Sequence, residues 1–404
     1  MQYKNLFKGR KYFVLKLILI WALILSNSFN PADLADIDEK IRRKVENLSL
    51  HIDLGWEIEI YCVLSITEVY NNNGFERIWT DMNKINEFIR IIETCDADGL
   101  NPMDYHLEDI QRFINRTSSE DIADLDIILT DAFLLYTSHI ISGKTNPKTI
   151  DAEWHVIKTE RNPVNYIYEI DQKSINDIIN ELYPKNTKYS QLKEYLVKYK
   201  LITENGGWER IEKGEILRPG ITDNRISLIR KRLTITGDLK NDTVSEPDFY
   251  DDNLKQSVIA FQQRHGLEAL GNIGNQTIEA LNIPAEEKVK TIETNLERWR
   301  WLPAELSNYN LLVNIANFEL DVNKDKKQIS NHKVIVGKPY RKTPVFSATM
   351  QYIVFNPTWT VPPTILKDDL LPEVRKNINY LALKNINVFD SKGVHLNPDC
   401  KSSK

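Results

Sequence analysis

The stretch Glu297-Arg298-Trp299-Arg300-Trp301-Leu302-Pro303, followed by Asn310-Leu311-Leu312-Val313-Asn314-Ile315, is where the chain changes its hydrophobic period. Glu286 to Trp301 reads as a charged helix. Beyond it Leu311, Val313 and Ile315 alternate with Leu312 and Asn314, the two-residue period of a strand. Val334-Ile335-Val336, which ends at Gly337, and Tyr352-Ile353-Val354-Phe355 are β-branched or aromatic runs and read as further strands. A proline-rich turn (Pro357, Pro362, Pro363) and a helix near Lys367 to Lys376 follow. Trp299 and Trp301 cannot both face the core of one helix. At least one should pack on another domain, and Arg–Trp stacking there is expected ahead of a sugar-binding platform.

Before this switch the chain reads as helical. Leu217-Arg218-Pro219-Gly220 opens a unit with a helix near Arg225 to Leu233. An amphipathic helix carrying Leu254, Val258 and Phe261 comes next, closed by His265-Gly266 with glycine at the left-handed cap position. A short helix from Thr277 to Leu281 stops at Pro284. Three helices in so short a unit make a small bundle. From Ala32 to Ile211 the pattern is again helical: Leu125, Ile128, Leu129, Ala132, Leu135 and Tyr136 recur at helix spacing, with Asp124, Asp126 and Asp131 among them. The Asp96-Ala97-Asp98-Gly99 string lacks the glycine and glutamate positions of a calcium loop. It reads as a turn that ends one helix, with Pro102 starting the next.

At the N-terminus Lys4, Lys8, Arg10 and Lys11 precede the apolar run Phe13 to Leu25, the layout of an export signal. If it stays uncleaved, this segment tethers the chain to the inner membrane. The 404 residues carry a formal net charge of -5 and no basic run outside the first residues, which argues against nucleic-acid binding. Three cysteines, Cys62, Cys95 and Cys400, are too few for a disulfide scaffold and too scattered for zinc. Cys62 reads as a buried, inert thiol, and a Cys62–Cys95 bridge stays open as an alternative. His395 and Cys400 are close in sequence, but Cys400 sits among Asp399, Lys401 and serines, without the electropositive setting a reactive thiolate needs. No metal spacing, phosphate loop or nucleophile elbow occurs, so neither a cofactor nor a metal is expected.

Three sets of residues resemble one family. The first is Asp98-Gly99-Leu100-Asn101-Pro102-Met103-Asp104-Tyr105-His106-Leu107 with Leu129-Thr130-Asp131-Ala132-Phe133 and Gly206-Gly207-Trp208. The second is Leu217-Arg218-Pro219-Gly220, Ala260-Phe261-Gln262-Gln263-Arg264-His265-Gly266-Leu267 and Gly274-Asn275-Gln276-Thr277. Here Leu270-Gly271 stands where that repeat usually has Asp-Gly. The third joins Arg298 to Pro303, Val336 to Phe346, and Phe355-Asn356-Pro357-Thr358-Trp359-Thr360-Val361-Pro362. Together they are similar to the large L,D-transpeptidases, which have a scaffold domain, a peptidoglycan-binding-like domain and a YkuD-type catalytic domain.

The resemblance implies an α+β multidomain chain: a signal or anchor at 1–30, a helical scaffold at 31–212, a three-helix peptidoglycan-binding-like bundle at 213–285, and an incomplete, mainly β catalytic domain at 286–404. It implies a periplasmic protein whose partners are peptidoglycan stem peptides or glycan. In the family a cysteine thiolate carries an acyl group between stem peptides to form 3–3 cross-links, from a Ser-His-Gly-Cys-type motif. No such string stands in this sequence, so no catalytic residue carries over, and a chain truncated before that motif and inactive as given is expected. A non-catalytic wall-binding or scaffold protein is the alternative. Asn356 and Trp359 match the Asn-Pro-x-Trp stretch and are the candidate residues of the stem-peptide groove.

Overall fold

The structure is a computed structural model and describes residues 31–50, 58–150, 154–156, 161–240 and 242–396. The export-signal residues Lys4 to Leu25 and the segment holding Cys400 lie outside the described residues. The chain is an α+β multidomain protein, and its contacts divide it into two compact units, Met1–Ser347 and Ala348–Lys404.

The first unit opens with helices α1 (Pro31–Ser49), α2 (Val63–Asn72), α3 (Met82–Glu93), α4 (Leu107–Phe113) and α5 (Ser119–Ser142). Ser118 caps α5 by accepting the Asp121 amide at 3.1 Å. Seventeen of the 24 residues of α5 are buried. Its length and composition would suit a membrane span, yet 78% of its apolar stretch is buried within the protein, so it is a core helix. Phe88 of α3 packs there against Trp79, Phe133 and Tyr136 in stacked and edge-on pairs. The Asp96–Gly99 string is a 3₁₀ turn, Cys95–Asp98, ended by left-handed Gly99, and Asn101 caps the next turn, Pro102–Tyr105.

A two-residue strand β1 (Trp154–His155) interrupts the expected helical run. After α6 (Pro163–Ile167), α7 (Ile175–Leu182) and α8 (Thr187–Glu204), the small bundle follows. It consists of α9 (Arg225–Thr236), α10 (Asp252–Arg264) and α11 (Asn275–Leu281), close to the spans the periodicity predicts. Gly266 has φ +66°, the left-handed cap conformation. The bundle has its own apolar cluster, from Ile211 through Ile229, Val258 and Phe261 to Leu281. Leu217 and Ile273 exchange backbone hydrogen bonds at 3.1 and 2.9 Å and tie the two ends of the unit.

Helix α12 (Ala285–Arg300) then returns to the helical module and packs on α8 through Leu296, Tyr189 and Leu196. A three-stranded antiparallel meander comes next: β2 (Tyr309–Asn314), β3 (Glu319–Lys324) and β4 (Lys327–Lys333), in the order β2-β3-β4. β5 (Val345–Phe346) pairs in parallel with β1 of the helical module.

Two expected strands do not form. Pairing of β4 ends at Lys333, opposite Glu319. Val334-Ile335-Val336 then runs as irregular chain with Ile335 fully exposed. Tyr352–Phe355 is also irregular and exposed. β-branched and aromatic residues favour strands only where a neighbour offers a ladder and a packed face, and these runs have neither. The strands that do form, β3 and β4, are rich in polar residues. They turn at Asp325-Lys326, where both residues have positive φ (50° and 63°), the backbone of a tight type I′ hairpin.

In the second unit Pro363–Ile365, a π-helical turn Leu366–Leu370 and α13 (Leu371–Lys376) make one helical stretch, in the expected place. α14 (Tyr380–Leu383) and the hairpin β6 (Val388–Phe389)–β7 (His395–Leu396) follow.

Candidate functional site

The candidate groove residues stand on the irregular chain of the second unit. Asn356 has a left-handed backbone (φ 49°) and is exposed, and Trp359 is 65% exposed. An indole so open to solvent contributes little to a core and is accessible to a ligand.

Nucleophilic chemistry needs a thiolate. Cys62 and Cys95 are both free, so the bridge left open by the sequence is not formed. Burial, reinforced by neighbouring aspartates, pushes each thiol up to about 12. Cys62, Asp131 and His106 nevertheless come together, an arrangement without a signal in the spacing of these residues. Asp131 on α5 accepts the Cys62 amide at 2.7 Å and the Tyr61 amide at 3.0 Å, and lies 2.7 Å from His106 Nε2. In a Cys–His pair the imidazole must face the sulfur and draw off its proton. Here a carboxylate stands beside the thiol and disfavours its ionisation. The cluster is a structural knot that anchors the start of α2 and the left-handed His106 to the core helix.

A second buried hub holds the domains of the first unit together. Asp98 pairs with Lys193 at 2.6 Å and accepts the Tyr183 hydroxyl at 2.7 Å, while its carbonyl accepts Arg300 Nη1 at 2.9 Å. Arg300 is 1% exposed and also pairs with Glu297 at 2.8 Å. The other Glu297 oxygen accepts the Thr145 amide at 2.9 Å and Trp301 Nε1 at 3.0 Å. A Cβ at Gly143 would lie 2.6 Å from that oxygen, and Gly143 has φ +77°, so only glycine fits there. Trp301 meets Trp154 edge-on at 5.2 Å, and Trp299 packs on the Tyr189–Leu196–Leu296 cluster. Both indoles thus pack on the helical module. The Arg–Trp stack expected here occurs elsewhere: Arg232 lies 3.4 Å above the Trp208 ring, where the helical module meets the small bundle. Burial lowers that guanidinium to about 10.

In the small bundle the Leu270-Gly271 turn is held by hydrogen bonds. Gly271 N donates to Gln262 Oε1 at 3.0 Å, and Tyr250 donates its hydroxyl proton to the Gly271 carbonyl at 2.5 Å. Buried Arg230 binds Asp242, Asp251 and the carbonyls of Pro247 and Phe249, so it clamps the loop between α9 and α10. Among the described residues no group of three or more His, Cys, Asp or Glu could hold a metal. His332 and His395 are exposed on β4 and β7.

A small open cleft of about 100 Å³ lies where the α7–α8 connection, the end of α12 and the meander meet. Pro184, Asn186, Trp299, Asn308, Asn310 and Asn323 are among its walls.

Comparison with known proteins follows the same order along the chain. Residues 65–196 match a family model described as "Scaffold domain", and residues 222–281 match one described as "Putative peptidoglycan binding domain". Residues 308–402 match the L,D-transpeptidase catalytic domain of the YkuD type. A protein of Haemophilus influenzae named "Putative L,D-transpeptidase" is 31% identical over 128 residues, which is 30% of this chain and 26% of that protein. The match thus spans about a quarter of the length of the curated relative. Three matched domains in this order, and a relative named as a putative L,D-transpeptidase, support the L,D-transpeptidase family for this chain.

Proposed function

We propose that this chain works at peptidoglycan in the periplasm, with residues 31–212 as scaffold, 213–285 as a wall-binding bundle and 286–404 facing the stem peptide. The succession of scaffold, peptidoglycan-binding and transpeptidase likenesses along one chain carries this reading. The reaction proposed for the family site is acyl transfer. A thiolate attacks a stem-peptide carbonyl and releases the terminal D-Ala as an amine. The acyl group then passes to a side-chain amine of a second stem, giving a 3–3 cross-link and regenerating the thiol.

Within residues 1–404 we assign no nucleophile to this step. Cys62 and Cys95 are held as thiols in the helical module, and Cys400 has no Ser-His-Gly before it. The polypeptide therefore supplies binding and positioning rather than bond-making. Incubation with tetrapeptide muropeptides should yield neither D-Ala nor 3–3 dimers by mass spectrometry, and either product would overturn this. Asn356 and Trp359 are proposed to touch the stem peptide. Trp359→Ala should weaken tetrapeptide binding in a titration, and unchanged binding removes that assignment.

A second reading, a non-catalytic wall-binding protein, is favoured by the continuous apolar cluster of the bundle. The full chain should sediment with purified sacculi at low salt, and a variant lacking residues 213–285 should not. Export is checked by fractionation: the chain should appear in the periplasmic or inner-membrane fraction.

A further inference from the structure

We infer that the cleft between the α7–α8 connection, the end of α12 and the meander is a saccharide-binding site that takes an N-acetylated glycan strand. The inference rests on the reading that the protein acts at peptidoglycan, and assigns a glycan contact outside the small bundle, between residues of the scaffold and catalytic-domain matches.

The wall composition decides the ligand class. Trp299 packs on the Tyr189–Leu196–Leu296 cluster and is only half-buried while it lines the cleft. It is thus a held aromatic surface of the kind that covers the C–H face of a sugar ring. Four asparagines share the cleft with it: Asn186, Asn308, Asn310 and Asn323. A carboxamide offers two donors and an acceptor, which suits hydroxyl and acetamido groups. Their positions are set. Asn323 Nδ2 donates to Asn310 Oδ1 at 3.0 Å, and Asn310 Nδ2 to the Ser307 carbonyl at 2.8 Å. Asn186 caps α8 by accepting the Lys188 amide at 2.8 Å. The Asn310–Asn323 pair leaves one N–H of the Asn323 amide and its oxygen for a ligand.

The cations of the cleft argue against a polyanion. Lys185 donates to the Asn180 carbonyl at 2.6 Å, Lys188 pairs with Asp321 at 3.2 Å, and Lys326 lies 4.0 Å from Glu305. Two of these cations face a carboxylate and Lys185 is turned to a backbone carbonyl, so recognition is assigned to the amides and the indole. Clefts where domains meet, apolar with a few fixed polar groups, are common ligand sites.

The test titrates the full chain by calorimetry with chitotetraose and with glycan strands stripped of peptide, alongside sedimentation with whole sacculi. Both soluble ligands should bind with a Kd of roughly millimolar or better, and about 0.5 M salt should change this little, since the amides and the indole carry it and chitotetraose is neutral. Trp299→Ala should cost about tenfold or more. Because Trp299 also packs on a core cluster, two further variants are read beside it. Asn308→Trp, at an exposed position, should block the cleft, and Asn323→Ala should weaken binding by a few fold. Binding unchanged in Asn308→Trp and Asn323→Ala, or abolished by salt, overturns the site. Sacculi that sediment the protein while stripped strands fail to bind overturn the cleft but leave the peptidoglycan reading standing. Failure of sacculi to bind removes both.

Discussion

Along α5 seventeen of 24 residues are buried, whereas along β2, β3 and β4 no residue is buried. The helix is held by what its side chains touch: aromatic rings, and buried carboxylates that accept amide and hydroxyl protons. The meander is held by its backbone ladder, with Tyr309, Leu311, Val313 and Ile329 open to solvent. Identical chemistry on a side chain therefore carries different weight in the two regions. A methylene lost from α5 or its neighbours leaves a hole, while one lost from the meander is replaced by water.

The largest expected effect is that of Phe88→Ala, which empties a fully buried site among Trp79, Phe133 and Tyr136 and should cost about 4 kcal/mol in denaturant unfolding. A loss below about 1 kcal/mol would break the contrast, because the core would then behave like the meander. Asp126→Ala sharpens it from the polar side. Asp126 accepts the Tyr70 hydroxyl at 2.6 Å and the amides of Trp79 and Ile78 at 2.8 and 3.1 Å. Removing it strips the acceptor from the two amides, while the Tyr70 hydroxyl keeps Thr130 Oγ1 at 3.0 Å, and should cost about 3 kcal/mol.

A pH titration comes next. His139 is half-buried beside the Tyr105 hydroxyl, 2.9 Å away, and the loss of solvent around it lowers it from 6.5 to about 4. Between those values the unfolded chain binds the proton and the folded one does not. Stability is therefore present above pH 6.5 and falls as the pH drops toward 4, by at most about 3 kcal/mol from this residue. Unfolding free energies at pH 7, 5.5 and 4 should show the decline, and His139→Gln should flatten it. Last and smallest, Leu311→Thr on the exposed face of β2 should stay within about 0.5 kcal/mol in the same unfolding assay.

Much of the helical half was legible in the sequence because its signals are local. The spacing from Leu125 to Tyr136, the cap at Gly266 and the turn from Asp96 to Gly99 each depend on a few neighbouring residues, and each is found where expected. The β half was less legible. Val334–Val336 and Tyr352–Phe355 have strand composition but no ladder, while β3 and β4 have a ladder with polar composition. The alternation of Leu320 and Val322 before Asp325-Lys326 was the one available hint of that hairpin, and it lacks the glycine that usually marks such a turn. Asn356 and Trp359 are groove candidates through resemblance alone, and both are exposed. The cleft around Trp299 could not be read from the sequence. Its asparagines come from segments more than a hundred residues apart and meet only once α12 has packed on α8.

That packing has an evolutionary consequence. The chain leaves the helical module at the end of α8 and returns at the start of α12, and a Cβ at Gly207 would lie just 3.7 Å from that of Ala285. Everything between is a cassette whose entry and exit stand side by side, the geometry in which whole domains are gained, exchanged or dropped without disturbing the host. The Arg232–Trp208 stack is the local seal on that junction. A lineage could therefore refit the small bundle for a different ligand while leaving the helices that hold α12 in place unchanged.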